Sequence, residues 1–185
     1  MQEFRSLGIR EIIGSAAARC NQVHHVRTPY AVRMITTLLI LHGLIAVALL
    51  GALSHQCASL WFAGRGGSSF AARYAAVNPQ RFVRAVVVCF AADLILAALI
   101  YPSYRIDVRI PFEEMSLGWA VGLFELKEHA GGIGLGLLPA YAFLWRSDAT
   151  PAQRGARIGI TVLLAAIVWW DFLVGHVLNN IRGLA

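Results

Sequence analysis

Five side chains within otherwise apolar runs of this sequence are of types that do chemistry: His42, Asp93, His129, Asp171 and His176. Imidazole titrates near neutral pH and ligates metals, and a carboxylate takes up a proton or completes a metal shell. In a bilayer each would cost at least about 2.5 kcal/mol to insert, so each calls for a partner, a wet cavity or a task. Helical rise gives their depths. His42 lies nine residues past Arg33, about 13 Å; Asp93 lies eight before Tyr101, about 12 Å; Asp171 lies seven before its span ends, about 10 Å. The three coincide, so a carboxylate at Asp93 is expected to be protonated or paired with His42. Glu125, Glu128 and His129 enter the bundle from the same boundary, and His176 leaves it there. The opposite half, with only His55 near its edge, reads as apolar packing.

Four uses of such a grouping are open. Imidazoles on different helices at one depth suit an axial pair for b-type haem, from His129 with His176, or His42 with either. Arg105, Arg109, Lys127 and Arg182 could then meet the propionates, Tyr101 and Tyr104 could donate hydrogen bonds to them, and Gly131, Gly132, Gly134 and Gly136 could make room for the ring. Copper, zinc or iron is the second use, with His42, His129, His176 and Glu125 as ligands; Glu125 and His129 share a helix face at i, i+4. Asp171 and His176 are five residues apart, about 140° round an ideal helix, which weakens them as co-ligands. A proton path through His42, Asp93 and Asp171 is the third. The fourth is an accessory subunit whose buried charges pair internally while its outer faces pack on a larger membrane complex. No HExxH or GxSxG spacing is present, which leaves protease and serine-hydrolase chemistry without a basis.

The elements that position these residues read as membrane helices. The chain has 185 residues, 58% hydrophobic and 14% charged, with a mean hydropathy of +0.62, values outside the soluble range. Spans are expected over about 34–53, 82–101, 125–146 and 157–178, with the apolar stretch of the third reaching back towards residue 119 and Pro102 ending the second. The fold class is therefore all-α, an integral membrane four-helix bundle in one domain, with residues 1–33 as a cytoplasmic N-terminal segment and 54–81 as an extramembrane loop. Four spans put both termini on one side. That side carries nine basic residues to seven opposite, which makes the termini cytoplasmic by the positive-inside rule.

The net charge of +6 is scattered instead of forming a basic block with interleaved aromatics, which argues against nucleic-acid partners and for anionic headgroups. Membrane lipids and other membrane subunits are the expected partners. Cys20, Cys57 and Cys89 are odd in number and far apart, so no CxxC pair and no disulfide framework exists. His24-His25 reads as a solvated pair in the N-terminal segment, and the first span as its own targeting signal.

The runs YPSYRIDVR (101–109), FELKEH (124–129) and WDFLVGHVLNNIR (170–182) together resemble an uncharacterised family of small bacterial four-span membrane proteins. That resemblance implies a bacterial inner-membrane location and no particular activity. The first span, ILHGLIAVALLGALSHQ, is faintly similar to the opening helix of histidine-bearing membrane proteins of the copper-resistance and protoporphyrinogen-oxidation type, which implies haem or copper. The lead expectation is a membrane subunit that holds b-type haem near its terminal-side face and passes electrons within a respiratory or related assembly.

Overall fold

The structure, a computed structural model, describes residues 29–62, 69–146 and 150–184. The four N-terminal arginines, Cys20, His24-His25 and the Arg65-Gly66-Gly67-Ser68 run lie outside the described residues, as does the side chain of Arg182. The chain divides into two units between Thr36 and Thr37. Of the first, only the opening turns of the first long helix are described; everything below concerns the second.

All regular structure among the described residues is helical. Helix α1 is Pro29–Phe62, α2 is Phe70–Ala75, α3 is Val83–Tyr104, α4 is Ile110–Glu114, α5 is Gly118–Arg146 and α6 is Pro151–Leu184, with a 3₁₀ turn at Pro79–Phe82 and a π-helical turn at Arg105–Arg109. Local chemistry sets several starts. Ser69 Oγ accepts from Ala72 N–H at 3.3 Å to cap α2, and Asn78 Oδ1 accepts from Gln80 N–H at 2.9 Å to open the 3₁₀ turn. Helix α6 opens on a Thr-Pro-x-Gln box, in which Gln153 N–H donates to Thr150 Oγ1 at 3.4 Å and Thr150 N–H donates to Gln153 Oε1 at 3.3 Å.

Three stretches are long and apolar enough to cross a membrane: Pro29–Phe62, Pro79–Glu114 and Pro151–Ile181. At about 1.5 Å per residue each exceeds the roughly 30 Å of hydrocarbon. Their outward side chains are apolar, Leu44, Val88, Ile95 and Leu173 among them, and would meet lipid. Helix α5 is long enough but less apolar, because its glycines, His129 and the Glu125-x-Lys127-Glu128 run dilute its hydrocarbon.

Pro102 does not end the second helix. It sits inside α3, and the backbone continues into the π turn at Arg105–Arg109 before α4. The ring removes one i→i−4 bond and crowds the carbonyl of residue 98, and a widened turn just beyond is a common way to absorb such a defect. The reversal into α5 passes through Ser116 at φ 59°, with Leu117 N–H donating to Phe112 O at 2.8 Å.

Two apolar clusters hold the helices together. One gathers Leu49, Leu53, Val86, Phe90, Leu138, Tyr141, Trp145, Leu164 and Val168 from α1, α3, α5 and α6. The other joins Phe112, Ala120, Val121, Val174 and Leu178 near the α4–α5 reversal. Along α6, Asp171 falls between the residues that serve the two clusters. Gly134 allows the first cluster to close: a Cβ there would collide with Phe90 Cζ and sit 3.1 Å from Phe90 Cε2.

Candidate functional site

The gap between the clusters is polar. His42 of α1 and Asp93 of α3 meet with Nδ1 2.8 Å from Oδ1, and their side chains are 22% and 21% exposed. The distance is that of an ion pair, but the ring N–H is not aimed along the contact, so neither atom has a well-directed hydrogen bond. Asp171 of α6 comes next. Its Oδ2 lies 3.4 Å from where a Gly131 Cβ would stand, so the glycine gives the carboxyl its place against α5. Its Oδ1 is buried without a hydrogen-bond partner, as is Trp170 Nε1 beside it in sequence. The charges acting on Asp171 are Lys127, Asp93 and His42. The Lys127 ammonium reaches α6 one turn further on, 3.6 Å from the Cβ position of Gly175.

Lys127 links this interior group to a charged rim. Glu128 feels Lys127, Glu125, His129 and Arg105. Arg109, on the π turn, holds Glu113 Oε1 from its Nε at 2.7 Å and Glu125 Oε1 from its Nη1 at 3.3 Å. Tyr104 stacks on Phe124 with centroids 3.5 Å apart, and its hydroxyl is buried without a partner. A graded series of titratable groups therefore runs from His42–Asp93 through Asp171 and Lys127 to the Arg109 end of the bundle, with orphaned polar atoms along it. Such atoms are what an unseen water or an exchanging proton would satisfy.

The structure places the other sequence-derived candidates elsewhere. His129 and His176 are both exposed. Helix α5 faces α6 through Lys127, Gly131 and Gly134, and His129, two residues from the first two, is turned about 160° away from that face. Its Nδ1–H donates to Glu125 O at 2.6 Å, which leaves Nε2 directed outward. His176 stacks on Phe172 with centroids 6.5 Å apart. The two histidines thus share a depth but not a face. Arg109 is engaged by carboxylates, and Arg105 donates to Tyr101 Oη at 3.3 Å. Gly131 and Gly134 are filled by Asp171 and Phe90, whereas Gly132 and Gly136 face open space. Among the described residues no three His, Cys, Asp or Glu side chains converge as a metal-holding group.

The opposite half is not inert packing, contrary to the sequence reading. Tyr141 Oη donates to Gln56 Oε1 at 2.5 Å, Gln56 Nε2 donates to Pro79 O at 3.1 Å, and Gln80 Nε2 donates to Trp145 O at 2.8 Å. Trp145 Nε1 donates to Thr161 Oγ1 at 3.1 Å, and Thr161 in turn donates to Arg157 O at 2.7 Å. His55 Nε2 donates to Val77 O at 3.2 Å, with Ser59 Oγ nearby at 3.4 Å. Gln56 and Thr161 are fully buried. The missed signal is positional: Leu49, Leu53, Gln56 and Leu60 recur at helical spacing on one face of α1, so the core face continues through a glutamine.

Comparison with protein-family models, curated proteins and solved structures gives no match. The site must speak through its own residues. It offers two carboxyl groups and an imidazole at one depth, a lysine between them and the rim, and an apolar layer on the other side. Among that layer, Phe90 against Gly134 lies next to the polar group along α3 and α5, followed by Leu49, Val86, Leu138 and Leu164.

Proposed function

We propose that this protein is a four-span subunit of a larger membrane assembly that takes up and releases protons at His42, Asp93 and Asp171, reached from the Arg109 end. The observation that carries the reading is the His42–Asp93 contact beside the unpartnered Asp171 carboxyl, held between two apolar clusters. Ionisable groups at this depth are seldom retained without a role in ion or proton movement. Lys127 and the Glu125, Glu128 and Arg109 rim supply a short route outward, whereas the Phe90 layer closes the other side. That asymmetry makes a half-channel, which works only against a partner.

Helix α5 as the fourth span is supported by its 29 residues, about 43 Å at helical rise, by its share of the common core and by its outward Ile133, Leu135 and Phe143. With four spans, and nine basic residues to seven, we place the termini on the cytoplasmic side of a bacterial inner membrane. The resemblance to small bacterial four-span proteins is in keeping with that placement.

Infrared difference spectroscopy tests the proton reading. Stepping the pH over purified protein should change a protonated-carboxyl band that shifts in deuterium oxide, shrinks in Asp171→Asn and shrinks further in Asp93→Asn/Asp171→Asn, to what the rim carboxyls alone contribute. A double variant whose band changes as much as that of the wild type sinks it.

A second reading is that b-type haem, or a copper, zinc or iron ion, is shared with a partner subunit. It is favoured by the outward Nε2 of His129 beside Gly132, on an exposed face of α5 that Glu128 and Ile133 share. An absorbance spectrum and elemental analysis of the assembled complex decide it: a Soret band or stoichiometric metal supports it, and neither removes it.

A further inference from the structure

The charge of the bundle is segregated by end. Of the seven acidic residues among the described ones, Asp93 and Asp171 are interior and Asp107, Glu113, Glu114, Glu125 and Glu128 lie towards the Arg109 end. At the other end, described residues 53–83 and 144–162 include no acid. Arg73, Arg81, Arg84, Arg146 and Arg154 are exposed there. Trp61, Phe70 and Tyr74 are exposed beside them in the chain, Phe70 at 77%. The Trp61 indole and the Tyr74 phenol each join an apolar body to a polar tip, and such rings, set next to arginines at the mouth of apolar helices, belong at headgroup level.

This end is also held in shape by side-chain hydrogen bonds to the backbone. Gln56, fully buried, donates to Pro79 O, His55 donates to Val77 O, and Gln80 donates to Trp145 O. Two of these bonds tie the 77–82 segment, which carries Arg81 and leads into Arg84, to α1, and the third ties it to the end of α5 that carries Arg146. Arg157 completes the frame: its Nε donates to Leu144 O at 2.9 Å, and its guanidinium lies 5.0 Å from the Trp145 ring. A connecting loop needs no such anchoring merely to join two helices. Anchoring does matter where cationic groups must stay at a fixed level, because a pre-set donor loses less freedom on binding.

We infer that the Arg81 end of the bundle is a docking surface for the phosphate headgroups of anionic lipids, with Arg81, Arg84, Arg146 and Arg154 supplying the charge. The guanidinium group donates charge-assisted hydrogen bonds to phosphate oxygens, and the excess of positive charge among the described residues of this end favours anionic over zwitterionic surfaces. The inference rests on the membrane-crossing helices and on charge, not on the proton reading, and it stands or falls separately.

The test uses full-length protein in neutral detergent. Added phosphatidylglycerol or cardiolipin should raise the melting temperature and remain bound through gel filtration, whereas phosphatidylcholine and inorganic phosphate should do neither. Arg81→Gln/Arg84→Gln/Arg146→Gln/Arg154→Gln should weaken anionic-lipid binding by about fivefold per arginine removed, and raised salt should weaken wild-type binding. The four Arg→Lys changes, which keep the charge, should retain more binding than the four Arg→Gln changes, which separates lost charge from a damaged fold. Equal stabilisation by phosphatidylcholine, full competition by inorganic phosphate, or undiminished binding by the glutamine variant would each overturn the assignment.

Discussion

Gly134→Leu should destabilise the protein by about 3 kcal/mol or more, while Gly132→Leu, two residues away, leaves its melting temperature unchanged within about 1 °C. The contrast follows from what each glycine faces. A Cβ at 134 meets the tip of the Phe90 ring and comes within 3.4 Å of Ile167 Cγ2, whereas a Cβ at 132 meets nothing within 4 Å. Phe90 is buried at 3% exposure among side chains from α1, α5 and α6, so its ring has no free direction in which to swing. Overpacking of this kind costs about 1–3 kcal/mol for a few extra methylenes, and at this chain length each kcal/mol moves the melting temperature by about 2–4 °C. Gly134→Ala should show a smaller loss, partly recovered when Phe90→Leu is added. Thermal melts in detergent check the series. Equal behaviour of the 132 and 134 variants would mean that Phe90 does not close the apolar layer. If Gly132→Leu instead leaves the isolated protein intact but breaks co-purification with a partner, the open face of α5 is where that partner sits.

Asp171→Val and Asp93→Val should move stability in opposite directions. Asp171 Oδ1 is buried and unpartnered, so an apolar side chain of similar volume removes a desolvation cost of about 1–3 kcal/mol and the variant should melt several degrees higher. Lys127 loses a nearby negative charge in this variant, but its long stem lets the ammonium turn towards the Glu125 and Glu128 rim. Asp93 differs because it holds His42 at 2.8 Å. Its removal strands an imidazole in the bundle and should lower the melting temperature by a similar amount. Each variant should lose its own share of the proton exchange. A stabilised protein without activity is the mark of a group kept for its task at a cost to the fold. A lower melting temperature in Asp171→Val would show instead that the carboxyl is held for structure.

The sequence makes the helical class legible, because apolar runs of about 20 residues leave few alternatives, and helical rise puts His42, Asp93 and Asp171 at one depth. Depth along an axis needs only counting. Facing requires knowing which neighbour each helix meets, and there the histidine pairing does not carry through: His129 and His176 share a level but lie on outward faces. Pro102 misleads for a related reason, since a proline forbids one hydrogen bond and not the helix, and the π turn beyond it takes up the defect. The Gln56–Tyr141 network escapes because neither member carries a charge at neutral pH; its partners come from helices 85 residues apart in sequence. Gln80 and Pro79 O are drawn in by the turn that Asn78 caps, a local feature whose long-range purpose only the packing reveals.

A sided pH jump distinguishes one-sided from two-sided access to the interior carboxyls. The protein would be inserted in one orientation into vesicles, and the part of the carboxyl infrared change that Asp93→Asn/Asp171→Asn removes followed while the pH is stepped first outside and then inside. The response should track the pH on the side of the Arg109 end and ignore the side of the Arg81 end. A response that follows both compartments equally, or only the Arg81 side, would contradict the account.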